Sequence, residues 1–218
     1  MSYLRYFYRT SVVGLFKSKK KAWSQVARDI GGELIDNGYW RGIILECKHA
    51  DWDIQLDVEI NKSGAGDQTN YWKETRIQTV VANQGEFSFA MWRDHKSFFW
   101  DVYGTCASGR KYENELEDIE IGDLSFDENF VVRSNNPEKI RLFLDKRELR
   151  QLINQQSDML LDLTRSVDKK YRLYFNCSGV VKDTERLKAM FRLFTTALDQ
   201  LSQIDSDRGD GPDAQASA

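Results

Sequence analysis

Proline is nearly missing from this chain: of 218 residues only Pro137 and Pro212 are proline, so no proline-rich linker divides it. Cysteine is equally sparse. Cys47, Cys106 and Cys177 are odd in number and far apart, which argues against a disulfide framework and predicts a reducing, cytoplasmic compartment. Histidine occurs only as His49 and His95. No run approaches the roughly 18 uninterrupted apolar residues that read as a membrane span. Arg5 and Arg9 interrupt the first apolar stretch and further cations follow it, the reverse of a signal peptide.

What is present is ordinary in amount and uneven in place. Apolar residues make up 41% and charged residues 30%, enough for a soluble domain with a real core. Aromatics reach 12%, with six Trp, which favours a sheet-rich interior. The net charge of −3 argues against nucleic acid as a general partner. Residues 1–21, however, carry Arg5, Arg9, Lys17, Lys19, Lys20 and Lys21 and no acid. Residues 113–128 carry eight acids and no Lys or Arg. Such blocks are as a rule solvated faces, and otherwise partner surfaces.

Hydrophobic period separates helix from strand. Trp23, Val26, Ala27 and Ile30 lie at helical spacing, and Gly31-Gly32 ends the helix. Asn37-Gly38 is a hairpin signal between Glu33–Asp36 and a strand in which Ile43, Leu45 and Cys47 alternate with Ile44, Glu46 and Lys48. After a turn at His49-Ala50, Trp52, Ile54, Leu56, Val58 and Ile60 face one way; Asp53, Asp57 and Glu59 face the other. Residues 61–69 read as a loop, and strands resume over 75–81, 87–93, 98–103 and 129–134. Asn136-Pro137 caps and starts one helix, and Asp145 with Glu148 has capping-box spacing for the next. Strands near 160–164 and 171–177 precede a helix capped by Asp183, with Leu187, Met190, Phe191, Phe194, Leu198 and Leu201 as its stripe. The expectation is an α+β fold: a largely antiparallel meander with helices packed on one face and a long C-terminal helix. It divides into a basic aromatic segment at 1–21, one domain at 22–204 and a disordered tail at 205–218.

The stretch from Phe126-Asp127 through Phe130, Val132, Ser134-Asn135-Asn136-Pro137 and into Leu142 and Leu144 resembles the signature of an uncharacterised bacterial family. The resemblance covers about 30 residues and implies a strand–turn–helix unit. Phe126 and Phe130 would be core, Ser134 to Asn136 the turn and cap, and Pro137 the helix start. Members of that family often carry N-terminal membrane helices, which this sequence lacks, and the resemblance implies no activity.

Chemistry finds little anchorage. Cys47, His49, His95 and Cys106 lack paired zinc-ligand spacing, so neither a metal nor another cofactor is expected. Neither histidine sits in a nucleophile motif, and no catalytic residue is assigned. Asp53, Asp57 and Glu59 could act as paired carboxylates or hold a hard cation, but a wet strand face is the simpler reading. Residues 63–66 lack the Lys-Ser/Thr of a phosphate loop. The aspartates of the tail have the wrong register for calcium.

The sharper candidate is the N-terminus. Leu4, Phe7, Tyr8, Val12, Leu15 and Phe16 interleave with Arg5 and Arg9 and lead into Lys17, Lys19, Lys20 and Lys21, a pattern suited to an anionic membrane surface. The simpler reading is a segment that docks on the sheet with solvated lysines. The expected function is a non-enzymatic binding or scaffolding protein with an unidentified protein partner, for which an anionic membrane surface at the inner membrane face is the further candidate. The alternative is a ligand-binding or enzymatic domain with a pocket between the sheet and the C-terminal helix.

Overall fold

Alternation and capping translate directly into the elements of the computed structural model, which describes residues 19–38, 42–63, 69–82, 86–94, 116–166 and 168–206. Helix α1 covers 19–30 and leads into the hairpin β1 (Glu33–Asp36) and β2 (Ile43–His49). The long ribbon β3 (Trp52–Ser63) and β4 (Asn70–Val81) follows, then β5 (Phe89–Arg93). After β6 (Glu117–Asp118) come α2 (Leu124–Asp127), β7 (Phe130–Ser134), α3 (Pro137–Asp145) and α4 (Arg147–Asn154). Strands β8 (Leu160–Arg165) and β9 (Tyr171–Ser178) precede α5 (Thr184–Ser206).

All nine described strands join one sheet in the order β1-β2-β3-β4-β9-β8-β5-β7-β6, with every neighbouring pair antiparallel. The fold is α+β, with the long C-terminal helix packed against the sheet. The first four strands are a meander. The returning pair β8–β9 then inserts between β4 and β5, so the two halves of the chain meet through strands made late.

The core lies between one sheet face and the helices. Trp23, Leu45, Leu56, Ile77, Phe89, Phe175 and Phe194 are all fully buried there. The Trp23 indole donates to the Val181 carbonyl at 2.9 Å, tying α1 to the lead-in of α5. Gly32 is the point of closest approach: an added Cβ would stand 2.6 Å from the Glu46 carbonyl oxygen and 3.0 Å from Cys47 Cβ.

The 126–137 unit forms as a strand, turn and helix. Phe126 and Phe130 are buried and stacked with ring centroids 4.7 Å apart. Asn136 accepts from the Lys139 amide at 2.9 Å, and Pro137 is the first helical residue. The Asn135 side chain reaches back to the segment before β5, accepting from the Ser88 amide and donating to the Glu86 carbonyl.

Three local expectations need correction. Residues 61–63 are strand, because β3 and β4 keep their ladder up to the Ser63–Asn70 pair. The β1–β2 connection is longer than a two-residue turn: the Asn37 amide donates to the Gly42 carbonyl, with Gly38 and Gly42 both at positive φ. Asp145 is not the cap of α4. Helix α3 runs on through Asp145, Lys146 takes the cap position with no side-chain bond, and Arg150 Nη1 donates to the Leu144 and Asp145 carbonyls at the end of α3. The expected cap of α5 is present, Asp183 accepting from the Arg186 amide at 2.7 Å. The expected strand at 98–103 and residues 207–218 of the expected tail lie outside the described residues. Asp205 and Ser206 are helical.

Candidate functional site

Four groups of side chains come together with chemistry beyond packing. The first is the basic start of the chain. Arg5, Arg9 and Lys17 lie outside the described residues; Lys19, Lys20 and Lys21 open α1. Helical spacing sets Lys19 four residues before Trp23, on the inward face, and it is only 7% exposed. Its Nζ stands 4.1 Å over the Trp23 ring and 3.5 Å from the Ile43 carbonyl oxygen. Burial lowers its pKa to about 8; Asp57 pulls it back up, and Lys73 adds to the lowering. Lys20 pairs with Asp36 at 2.8 Å, and Lys21 is exposed. Of these three lysines, then, only Lys20 and Lys21 reach solvent.

The second group is the acidic strand face. Asp53 is 80% exposed and meets Lys48. Asp57 and Glu59 instead grip Arg76 of β4, which donates from Nε and Nη2 to the Asp57 carboxylate at 2.9 and 2.7 Å and contacts Glu59 from Nη1 at 2.8 Å. Burial alone would lower the Arg76 pKa, but Asp57 and Glu59 outweigh it and the guanidinium is held charged. The three acids are thus split between a surface pair and a half-buried clamp. Gln55 and Gln78 continue the polar row beside them, hydrogen-bonded at 3.0 Å. That face is not uniformly wet, because Asn176 and Asp162 on β9 and β8 lie on it and are buried.

The third group was not anticipated from sequence. His49 Nε2 stands 2.8 Å from Asp199 Oδ1 on α5, and its ring stacks on Trp52 at 6.2 Å. Their sequence separation of 150 residues hid the pairing. Cys47, two residues away on the same strand, is no nucleophile in this setting: burial pushes its thiol up to about 11. Among the described residues, no cluster of three or more His, Cys, Asp or Glu side chains could hold a metal ion. His95 and Cys106 lie outside them.

The fourth is a shallow groove of about 870 Å³ where β5, β6 and β7 meet α2 and α3, lined by Trp92, Asp118, Phe130, Val131, Arg133 and Arg141 among others. Arg133 pairs with Asp118 at 2.6 Å and lies over the Trp92 ring. The acidic block supplies much of its frame. Asp127 accepts from the Ile121 and Gly122 amides, and Asp123 caps α2 by accepting from the Phe126 amide. Hydrogen bonds from the Ser125 hydroxyl and the Phe126 amide hold the Asp123 carboxyl below its ordinary pKa. The groove lies away from α5, where the pocket was expected.

Trp23 and Trp92 are buried, and Trp52 and Trp72 are partly so; Trp40 and Trp100 lie outside the described residues. No helix among the described residues is long and apolar enough to cross a membrane. Compared with protein-family models, with curated proteins and with solved structures, the chain gives no match.

Proposed function

We propose that this protein is a non-enzymatic binding protein that associates peripherally with an anionic membrane surface. One observation carries the reading: the acid-free, cation-rich start of the chain enters α1 with Lys20 and Lys21 turned to solvent. Each basic residue held near an anionic bilayer contributes about 1 kcal/mol, and the attraction fades over about 8 Å at physiological salt. Aromatic and aliphatic residues interleaved with those cations add insertion to the Coulomb attraction. An acidic protein surface is the competing partner.

Sedimentation of the full chain with vesicles tests the reading. Binding to phosphatidylserine-containing vesicles is expected to weaken as salt rises, and vesicles of phosphatidylcholine alone are expected to retain little. A protein that stays in the supernatant with anionic vesicles at low salt overturns it.

The groove at β5–β7 favours a second reading, a small-ligand site, because its volume falls in the range that such ligands occupy. Its lining brings Arg133 and Arg141 together with Asp118, Glu120 and Asp127, a mixed-charge rim that could orient a small polar ligand with an anionic group. Saturable chemical-shift changes at Val131 and Val132 on adding a panel of aromatic carboxylates would support it; their absence across the panel would end it.

A further inference from the structure

We infer that one face of the outer β3–β4 ribbon, formed by Ile60, Lys62, Tyr71 and Lys73, is a lipid-docking surface that engages the same anionic bilayer as the basic start of the chain. The inference rests on the membrane reading above and gives it a second, structured contact.

Register is the first support. Ile60 pairs with Lys73 and Lys62 pairs with Tyr71 across the ladder, so the four side chains project from one face as a two-by-two block. The opposite face of the same segment carries the Glu59–Glu74 and Asn61–Trp72 pairs. Cations and acids are therefore sorted to different sides of a two-stranded ribbon.

Exposure is the second. Strand β9 accompanies β4 only as far as the Glu74–Ser178 pair, and the ribbon continues past it. Beyond that point Ile60 is 62% and Tyr71 69% exposed, and Lys62 and Lys73 are exposed as well. A single exposed apolar residue means nothing. Here two large ones are diagonal neighbours on a ribbon, close enough to act together, and each faces a lysine.

Chemistry selects the occupant. An aliphatic side chain, a tyrosine and two lysines on one face match the layered interface of a bilayer. Ile60 can enter the acyl boundary, Tyr71 suits headgroup depth, and the lysine stems lie along the apolar surface while their ammonium groups reach the phosphates. A nucleic acid would use the cations but gain little from Ile60, and the net charge of −3 disfavours it. Proximity completes the case. Lys19 Nζ lies 3.5 Å from the carbonyl oxygen of Ile43, at the start of β2, the strand next to β3. The charge of Lys73 is felt at Lys19, so the first turn of α1 is near the root of this face. The two basic features can therefore meet one surface together.

The experiment is vesicle sedimentation of the full chain in three variant sets. Lys62→Gln/Lys73→Gln is expected to weaken binding to phosphatidylserine-containing vesicles roughly 25-fold, about fivefold per lysine. Ile60→Ser/Tyr71→Ser is expected to weaken it about tenfold and to leave the salt dependence unchanged. Ile60→Trp, a gain that misfolding cannot imitate, is expected to tighten it. If all three bind like the parent while Lys17→Gln/Lys20→Gln/Lys21→Gln releases the protein, the ribbon inference is overturned and the membrane reading stands. If the parent binds no vesicle, both fall. If the same lysines instead govern binding to duplex DNA or to poly-glutamate with no vesicle binding, the lipid assignment is overturned.

Discussion

Arg76 and Asp57 face each other across the β3–β4 ladder and are joined by two parallel hydrogen bonds, with Glu59 closing on the third guanidinium nitrogen. A fork of this kind is specific in geometry, and its partial burial spares it much of the solvent screening that weakens surface pairs. Asp57→Asn is expected to cost about 1–2 kcal/mol. Arg76→Lys should cost a similar amount, because an ammonium cannot make the bidentate contact. The urea midpoint of each variant is the measurement, and an unchanged midpoint for both would show that the clamp adds nothing to stability.

Phe194 on α5 is completely buried against the sheet. Phe194→Ala leaves a cavity that the surrounding side chains only partly fill, and a loss of about 3–5 kcal/mol is expected. Chemical denaturation gives the value directly. A loss below about 1 kcal/mol would contradict the packing described for α5.

Lys19 makes the opposite test. Its folded pKa of about 8 lies below the ordinary 10.5, so between those values the unfolded chain holds more protons than the folded one. Stability from this group therefore rises as pH climbs from about 8 towards 10.5, and below pH 8 the folded state carries the full cost of the buried charge. Lys19→Met is expected to melt higher than the parent at neutral pH, with the gap closing by pH 10. A gap independent of pH would rule out the buried ammonium. Because Lys19 points inward, Lys19→Gln is also expected to leave vesicle binding unchanged, unlike Lys21→Gln.

Two thiols should be inert. Burial pushes Cys47 up to about 11 and Cys177 up to about 12, so at pH 8 both are neutral thiols. Peptide mapping after iodoacetamide at pH 8 is expected to find both unmodified in the folded protein and fully modified in guanidinium. The sign for stability follows: their contribution is intact below the ordinary thiol value of 9.0 and is lost as pH rises towards 11 and 12. Rapid native labelling of Cys177 would mean that β9 opens readily.

Sequence periodicity was most informative where one face of an element meets the core. The alternation of Ile54 and Leu56 with Asp53 and Gln55 fixed β3 and its inward side, and the Leu187-to-Leu201 stripe fixed α5. The same rule misplaced Ile60: its parity matches Leu56, but the strand has by then left the core, so parity no longer means burial. Lys19 misled in the other direction. Its charge grouped it with Lys20 and Lys21, whereas its spacing from Trp23 assigned it inward. The Arg76 clamp, the His49–Asp199 pair and the groove all join residues from separate strands and helices. Strand order decides such meetings, and no local pattern encodes it.

The placement of β9 and β8 between β4 and β5 has a consequence for synthesis. A ribosome delivers β1 to β4 first and in spatial order, so that ribbon can form as it emerges. Strand β5 follows at once, yet among the described strands its neighbours are β7 and β8, and the way from it to β4 leads through both β8 and β9. Until residue 178 has left the exit tunnel, the β4 edge from Glu74 to Val81 lacks the strand it will hold in the finished sheet. Nascent chains stalled near residue 155 should be cut quickly by protease and held by chaperones, while the released chain resists. Closing the sheet thus waits for β9, and a stop before that strand leaves a protein with its middle unsewn.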